Sequence, residues 1–160
     1  GPHLAGELFK AMGGVNMLRV PYKGGAETIA DLLAGRLQLA FATPGTIASH
    51  VKSGKLRALA VTSERPSALV PDLPTVAETI PGFEAGTYQG LFVPAKVPRN
   101  IIARLNREST RYLALPEVRA RLLAAGTEPA GNSPEQFEAM IRGETAKWGK
   151  LIREAGIRQD

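Results

Sequence analysis

Cysteine is absent from this 160-residue chain, which excludes a disulfide framework, thiolate chemistry and a cysteine-ligated metal. Its absence is compatible with either side of a bacterial inner membrane. Histidine is nearly absent as well. The two present, His3 and His50, fall on different predicted helices, so no metal-ligand spacing arises. Aromatic residues make up 6% of the chain, and the three tyrosines and one tryptophan do not alternate with basic residues. No run of five or more like charges occurs. The formal charge of +5 is mixed through both halves: eight Lys/Arg with six Asp/Glu in residues 1–80, and twelve with nine in residues 81–160. This pattern describes a solvated, mildly basic surface and no nucleic-acid partner. The 44% hydrophobic content is that of an ordinary folded protein, and no apolar run is long enough to span a bilayer. No secretory signal is visible. The start at Gly1-Pro2-His3, directly before a helical pattern, suggests that sequence is missing upstream.

Catalytic arrangements are also missing. Ser49, Ser53, Ser63, Ser67, Ser109 and Ser133 lack a glycine-flanked elbow, and no paired His and Asp stands where a nucleophile needs it. Gly13-Gly14 and Gly24-Gly25 form neither a phosphate loop nor a dinucleotide fingerprint. The expectation is a protein that performs no chemistry and carries no cofactor or metal.

What the chain does have is an alternation of short helical and short extended patterns in its first half. Leu4, Leu8, Phe9 and Met12 fall at helical spacing before Gly13-Gly14. A strand through Leu18 and Val20 leads into the loop Pro21-Tyr-Lys-Gly-Gly25. Ile29, Leu32 and Leu33 line the next helix, which ends at Gly35. Leu37–Phe41 reads as a strand, and Thr43-Pro44 as the N-cap and first residue of another helix. Arg57–Val61 reads as a third strand. The succession predicts an α/β fold with a parallel sheet and right-handed crossovers. Four prolines (Pro66, Pro71, Pro74 and Pro81) interrupt residues 62–82 except for a helical turn opened by Thr75 with Glu78. Residues 87–93 read as a strand closed by Pro94. Amphipathic helices follow through Ile101–Leu113 and from Pro116 to Gly126, and a third begins at Ser133-Pro-Glu-Gln136. In that last helix, Trp148 stands at core spacing and reads as packing, not as a ligand platform.

A strand that runs into a helix exposes free N–H groups and the positive end of the helix dipole, and so suits an anion. Two such junctions, at Tyr22–Gly25 and Thr43-Pro44, would sit side by side at the carboxyl edge of a parallel sheet. Tyr22 can donate to a carboxylate there, with Lys23 adding charge at the rim. The alternative is that Tyr22 packs the loop and Lys23 is solvated. Thr43 supplies a hydroxyl donor beside a helix start.

The chain resembles the substrate-binding receptors of tripartite tricarboxylate transporters, the Bug receptor family. The resemblance is carried by Pro2-His-Leu-Ala-Gly-Glu-Leu-Phe9, Val20-Pro-Tyr-Lys-Gly24, Asp31-Leu-Leu-Ala-Gly35 and Gly54-Lys-Leu-Arg-Ala-Leu-Ala-Val-Thr62. Leu73-Pro-Thr-Val-Ala-Glu78, Pro81-Gly-Phe-Glu84, Gly90-Leu-Phe-Val-Pro94 and Trp148-Gly-Lys150 continue it in order. It implies a two-lobed periplasmic receptor of roughly twice this length. A small organic carboxylate would be clamped between the lobes and delivered to the membrane subunits of a transporter. On that pattern residues 1–85 are the second lobe, of type II periplasmic binding protein kind with a parallel-rich sheet flanked by helices. Residues 86–98 are a hinge strand and crossover, and residues 99–160 are C-terminal helices returning to a first lobe that a truncated chain would lack. The surface that such a lobe covers would be apolar, so a homo-oligomer or domain swap is a further expectation.

The resemblance also implies site residues. Gly1, Pro2 and His3 match the end of a loop that opens a helix toward the ligand; His3 itself reads as a capping or surface residue. Tyr22, Gly24 and Thr43 fall at the two junctions. Ala42 stands where many relatives carry aspartate or asparagine, and it cannot hold an ammonium group. That departure argues against an amino-acid ligand and for a plain carboxylate or dicarboxylate. The competing classes are an enzyme acting on a small organic acid, which needs an acid/base pair, and a self-associating interaction module.

Overall fold

Helices form where the apolar spacing places them, and each has a local reason to start and stop. The computed structural model describes residues 1–157. It divides into two compact units, Gly1–Thr87 and Tyr88–Asp160. The first holds α1 (Pro2–Gly13), α2 (Gly25–Leu33) and α3 (Pro44–Lys52), and the second α4 (Arg99–Leu113), α5 (Pro116–Ala124) and α6 (Pro134–Glu154). Proline occupies the first turn of α1, α3, α5 and α6, where its missing N–H costs no hydrogen bond. Gly14 closes α1 in the left-handed region at φ 62°, a conformation that side chains resist.

The first unit is organised around Phe83, which is fully buried. Phe9 of α1 meets Phe83 edge-on at 6.0 Å between ring centroids, and meets Phe41 at 5.9 Å. Such tilted pairs stabilise beyond the area they bury. Ala5 and Leu8, on the same face of α1, are buried with them. The Phe41 ring lies over Gly6, where an added Cβ would make an ordinary contact with it at 3.6 Å. The Phe41–Pro44 segment, and with it the start of α3, is thus anchored beside α1.

The expected strands do not close into a ladder. Among the described residues the only β-pairing is an isolated parallel bridge, Val61 with Thr75. It is made by Val61 N–H donating to Pro74 O and Val76 N–H donating to Val61 O, both at 2.9 Å. Thr62 extends it, its Oγ1 donating to Ala85 O at 3.0 Å. Residues 18–20, 37–41 and 87–93 form no strand, and Leu18 is 92% exposed, Leu59 58% and Phe92 70%. The parallel-rich sheet expected for residues 1–85 is therefore reduced to this bridge. The physical reason is that a short apolar run favours extended backbone but cannot specify which neighbour completes its hydrogen bonds.

Two local expectations appear in atomic detail. Thr75 opens a 3-10 turn over Val76–Glu78 with a full capping box, and Ser133 opens α6 with another, through Gln136. In the second unit α4 packs against both α5 and α6. Asn106 Nδ2 donates to Asn132 O at 2.8 Å, tying the loop before α6 to α4. Phe92 meets Phe137 at 5.4 Å, and a Cβ at Gly90 would overlap the Phe137 ring. Trp148 is half-buried on α6, with its Nε1 donating to Glu144 Oε2 at 2.6 Å.

Candidate functional site

Three hydroxyl residues stand at N-cap positions: Thr43, Thr75 and Ser133. Thr75 Oγ1 accepts from Glu78 N–H at 3.3 Å, and Ser133 Oγ accepts from Gln136 N–H at 3.2 Å. Thr43 has the extended backbone of a cap, at φ −78° and ψ 142°, but its side chain makes no capping hydrogen bond. The cause lies three residues on. Glu78 and Gln136 can reach back to a cap N–H, whereas Thr46 donates its own hydroxyl to Thr43 O at 2.8 Å. That uses the single Thr46 proton, so in the 3.3 Å Thr43–Thr46 hydroxyl pair the donor is Thr43. The contact is long and exposed, which leaves the Thr43 hydroxyl free to turn outward.

The starts of α1 and α2 also lack a side-chain cap, since Gly1 and Gly24 have no side chain to offer. Gly24 is extended at φ −162°, and a Cβ at Gly24 or Gly25 would meet nothing within 4 Å. Neither backbone strain nor packing within the chain requires glycine at these positions. At α1, Thr87 Oγ1 lies 3.4 Å from where a Gly1 Cβ would stand. His3 occupies the second residue of α1 and does not cap it. Burial, and then the charge of Arg19, lower the His3 pKa against the opposing pull of Glu7. Glu7 is held by Lys10 at 3.0 Å and lies 4.0 Å from His3 Nε2.

Tyr22 turns inward along α2. Its hydroxyl donates to Asp31 Oδ2 at 2.7 Å, and Asp31 Oδ1 accepts from Arg36 Nε at 2.9 Å and from Nη2. The Arg36 hydrogen bonds, followed by that of Tyr22, hold the Asp31 carboxyl below its usual range. The bond to Asp31 in turn raises the Tyr22 phenol. Ala42 is exposed between Phe41 and Thr43 and presents only a methyl group. Lys23 is exposed, and its backbone N–H donates to Glu27 Oε2 at 3.3 Å.

A cavity of about 610 Å³ lies between α2 and α3, lined by Gly25, Ala26, Ile29, Ala30, Leu33, Thr46 and His50. Gly25 in the first turn of α2 and Thr46 in the first turn of α3 thus line one open groove. Gly24 and Thr43 each adjoin the starts that reach it but do not line it. Sequence reasoning missed Asp31, Arg36, Thr46 and Thr87. The Asp31–Gly35 motif was visible, but nothing in its spacing linked Asp31 to Tyr22 across nine positions. Among the described residues no group of three or more His, Asp or Glu side chains gathers as a metal ion requires. Among the described residues no helix is long and apolar enough to cross a membrane.

Residues 1–157 match the family model described as tripartite tricarboxylate transporter family receptor. A Pseudomonas knackmussii protein, named for the clcB-clcD intergenic region, is 38% identical over 152 residues, covering 94% of this chain and 90% of its own. The structure of R. palustris Rpa4515 with adipate is 34% identical with a TM-score of 0.80, covering 98% of this chain and 52% of its own. MatC from Rhodopseudomonas palustris with bound malate is 26% identical with a TM-score of 0.70, covering 94% and 53%. The chain spans about half the length of most curated relatives that it matches. The family is one of transporter receptors, not enzymes, and a further structural neighbour, 32% identical with a TM-score of 0.75 and covering 100% of this chain and 55% of its own, is the periplasmic binding protein BugD.

Proposed function

Because this chain belongs to the tripartite tricarboxylate transporter receptor family, we propose that it captures a small organic carboxylate in the periplasm and serves a membrane transporter of that type. The observation that carries this function is the open cap at Thr43. The Thr43 hydroxyl and the Gly45 N–H, which no side chain caps, stand together at a helix start, next to a second start without a side-chain cap at Gly24-Gly25. Such an array offers the Thr43 hydroxyl and amides at two helix starts to a carboxylate, while the Glu27 side chain in the first turn of α2 is turned to the Lys23 N–H. The space around Gly24 and Gly25 supports the same role, since a ligand can approach the backbone there.

Adipate and malate, the acids in the two receptor structures described above, define the class to test: short aliphatic dicarboxylates. Ala42 fits that class because no acidic group stands there for an ammonium. Residues 1–85 serve as one lobe and residues 86–98 as the hinge, and ligand bound at the helix starts stabilises the closed form. The relatives lend no support to self-association.

Calorimetric titration of the protein with adipate, malate and citrate tests this function. Saturable binding of at least one acid is expected, and Thr43→Val should weaken it roughly ten- to hundredfold, the weight of one charge-assisted hydrogen bond. Absence of binding to every acid, with the fold intact by circular dichroism, overturns it.

A further inference from the structure

A phenol has one proton, and in this structure the Tyr22 proton is already committed. Asp31 Oδ2 takes it at 2.7 Å, and an ionised carboxylate can only accept, so the direction of the bond is settled. Arg36 holds the other oxygen of the same carboxylate, through Nε at 2.9 Å and through Nη2. The backbone closes around the same residue: Asp31 O accepts from the N–H groups of Arg36 at 2.9 Å and Leu37 at 3.3 Å. Tyr22 precedes α2 and Asp31 lies near its end, so the phenol runs like a strap along the helix. Lys23 N–H on Glu27 adds a second tie between loop and helix.

We propose that Asp31 is a positioning residue for ligand capture: held by Arg36, it draws in the Tyr22 hydroxyl and so fixes the Tyr22–Gly25 turn and the α2 amides beyond it. Tyr22 then acts on the ligand through this turn and does not donate to the carboxylate. The inference rests on the proposed receptor function, and it replaces the direct role that the Tyr22 position first indicates. The charged groups around the phenol are Asp31, Arg36 and Glu27. A bound acid near Tyr22 Oη would face lone pairs, whereas the turn presents N–H groups.

The test is a double-mutant cycle in the protein with Tyr22→Phe and Asp31→Ala, read by dicarboxylate titration. Both changes spare the helix, since phenylalanine removes only a hydroxyl and alanine is the strongest helix former. Each single variant is expected to weaken binding by roughly five- to tenfold, with the double variant no weaker than either, because both remove one shared element. Two further readouts report the strap directly. Alkaline absorbance titration should show one of the three tyrosines ionising late in the parent and at an ordinary pH in Asp31→Ala. Amide exchange at Gly24–Thr28 should accelerate in both variants while α6 is unchanged. If Asp31→Ala binds as tightly as the parent or tighter while Tyr22→Phe loses affinity, Tyr22 is a direct donor and the proposal falls. It falls also if neither variant alters binding or exchange. If the parent binds none of the acids, the receptor function fails instead, and the late-ionising tyrosine and local exchange then decide whether the strap exists.

Discussion

Thr43 in the first unit and Ser133 in the second are nearly the same residue in the same place, each an N-cap followed by proline. Yet one helix start is closed and the other open. Ser133 is answered by Gln136, so its N–H and hydroxyl are both satisfied within the chain. Thr43 is answered by Thr46, whose hydroxyl and backbone N–H both bond the Thr43 carbonyl, so the Thr43 hydroxyl caps no amide. The difference separates a start that stabilises its own helix from a start with donors to spare. It also separates the units: the first is held by a three-ring contact with its helix starts exposed, the second by helix against helix.

The most disruptive change to the first unit is Phe83→Ala. A fully buried ring replaced by alanine costs about 3–5 kcal/mol, and loss of protection should concentrate in residues 1–87 by hydrogen exchange. Equal loss throughout α4–α6 would show that the two units are not energetically distinct. Gly90→Ala acts on the second unit, where the added methyl must displace the Phe137 ring. Overpacking of this kind costs about 1–3 kcal/mol, to be read as a lower melting temperature. Phe137→Ala in the same background should recover part of that loss, because it empties the space.

The paired caps give a sharper contrast. Ser133→Ala should cost on the order of 1 kcal/mol of stability and leave acid binding unchanged. Thr43→Val should do the reverse: stability moves by less than ~0.5 kcal/mol, as at a surface site with no cap bond to lose, while affinity falls. Matching stability losses in the two variants would show that Thr43 caps after all.

The smallest effect is the pH response of the Tyr22–Asp31–Arg36 strap. The Asp31 carboxyl is lowered by Arg36 and then by Tyr22, so its contribution is present above the ordinary carboxylate range and is lost as pH falls through its folded value. The Tyr22 phenol is raised, mainly by Asp31, so its contribution is present below the ordinary phenol range and is lost as pH rises through its folded value. Amide exchange at Gly24–Thr28 should therefore be slowest, relative to intrinsic rates, between those two ranges. A flat profile would remove the strap from the account of this loop.

Much of this was legible one helix at a time. Both capping boxes need only residues three apart, and Gly14, Gly35 and Gly54 end helices because a left-handed residue is a local requirement. The candidate site was legible as positions, since Thr43-Pro44 and Gly24-Gly25 announce helix starts. It was not legible as contacts. Nothing at Tyr22 indicates that its hydroxyl faces Asp31, and residues nine apart meet only once α2 has formed beneath the loop.

The helices, the capping boxes at Thr75 and Ser133 and the family could be read from the amino acids alone, because these rest on interactions within one or two turns and on motifs in order. Tertiary structure decided that Phe9 joins Phe41 to Phe83, that Tyr22 spends its proton on Asp31, and that α2 and α3 share a cavity. It also decided that the apolar runs at 18–20 and 37–41 form no ladder, because a strand's hydrogen bonds belong half to its neighbour. A hydrophobic pattern states which faces will be covered. Only packing in three dimensions selects what covers them.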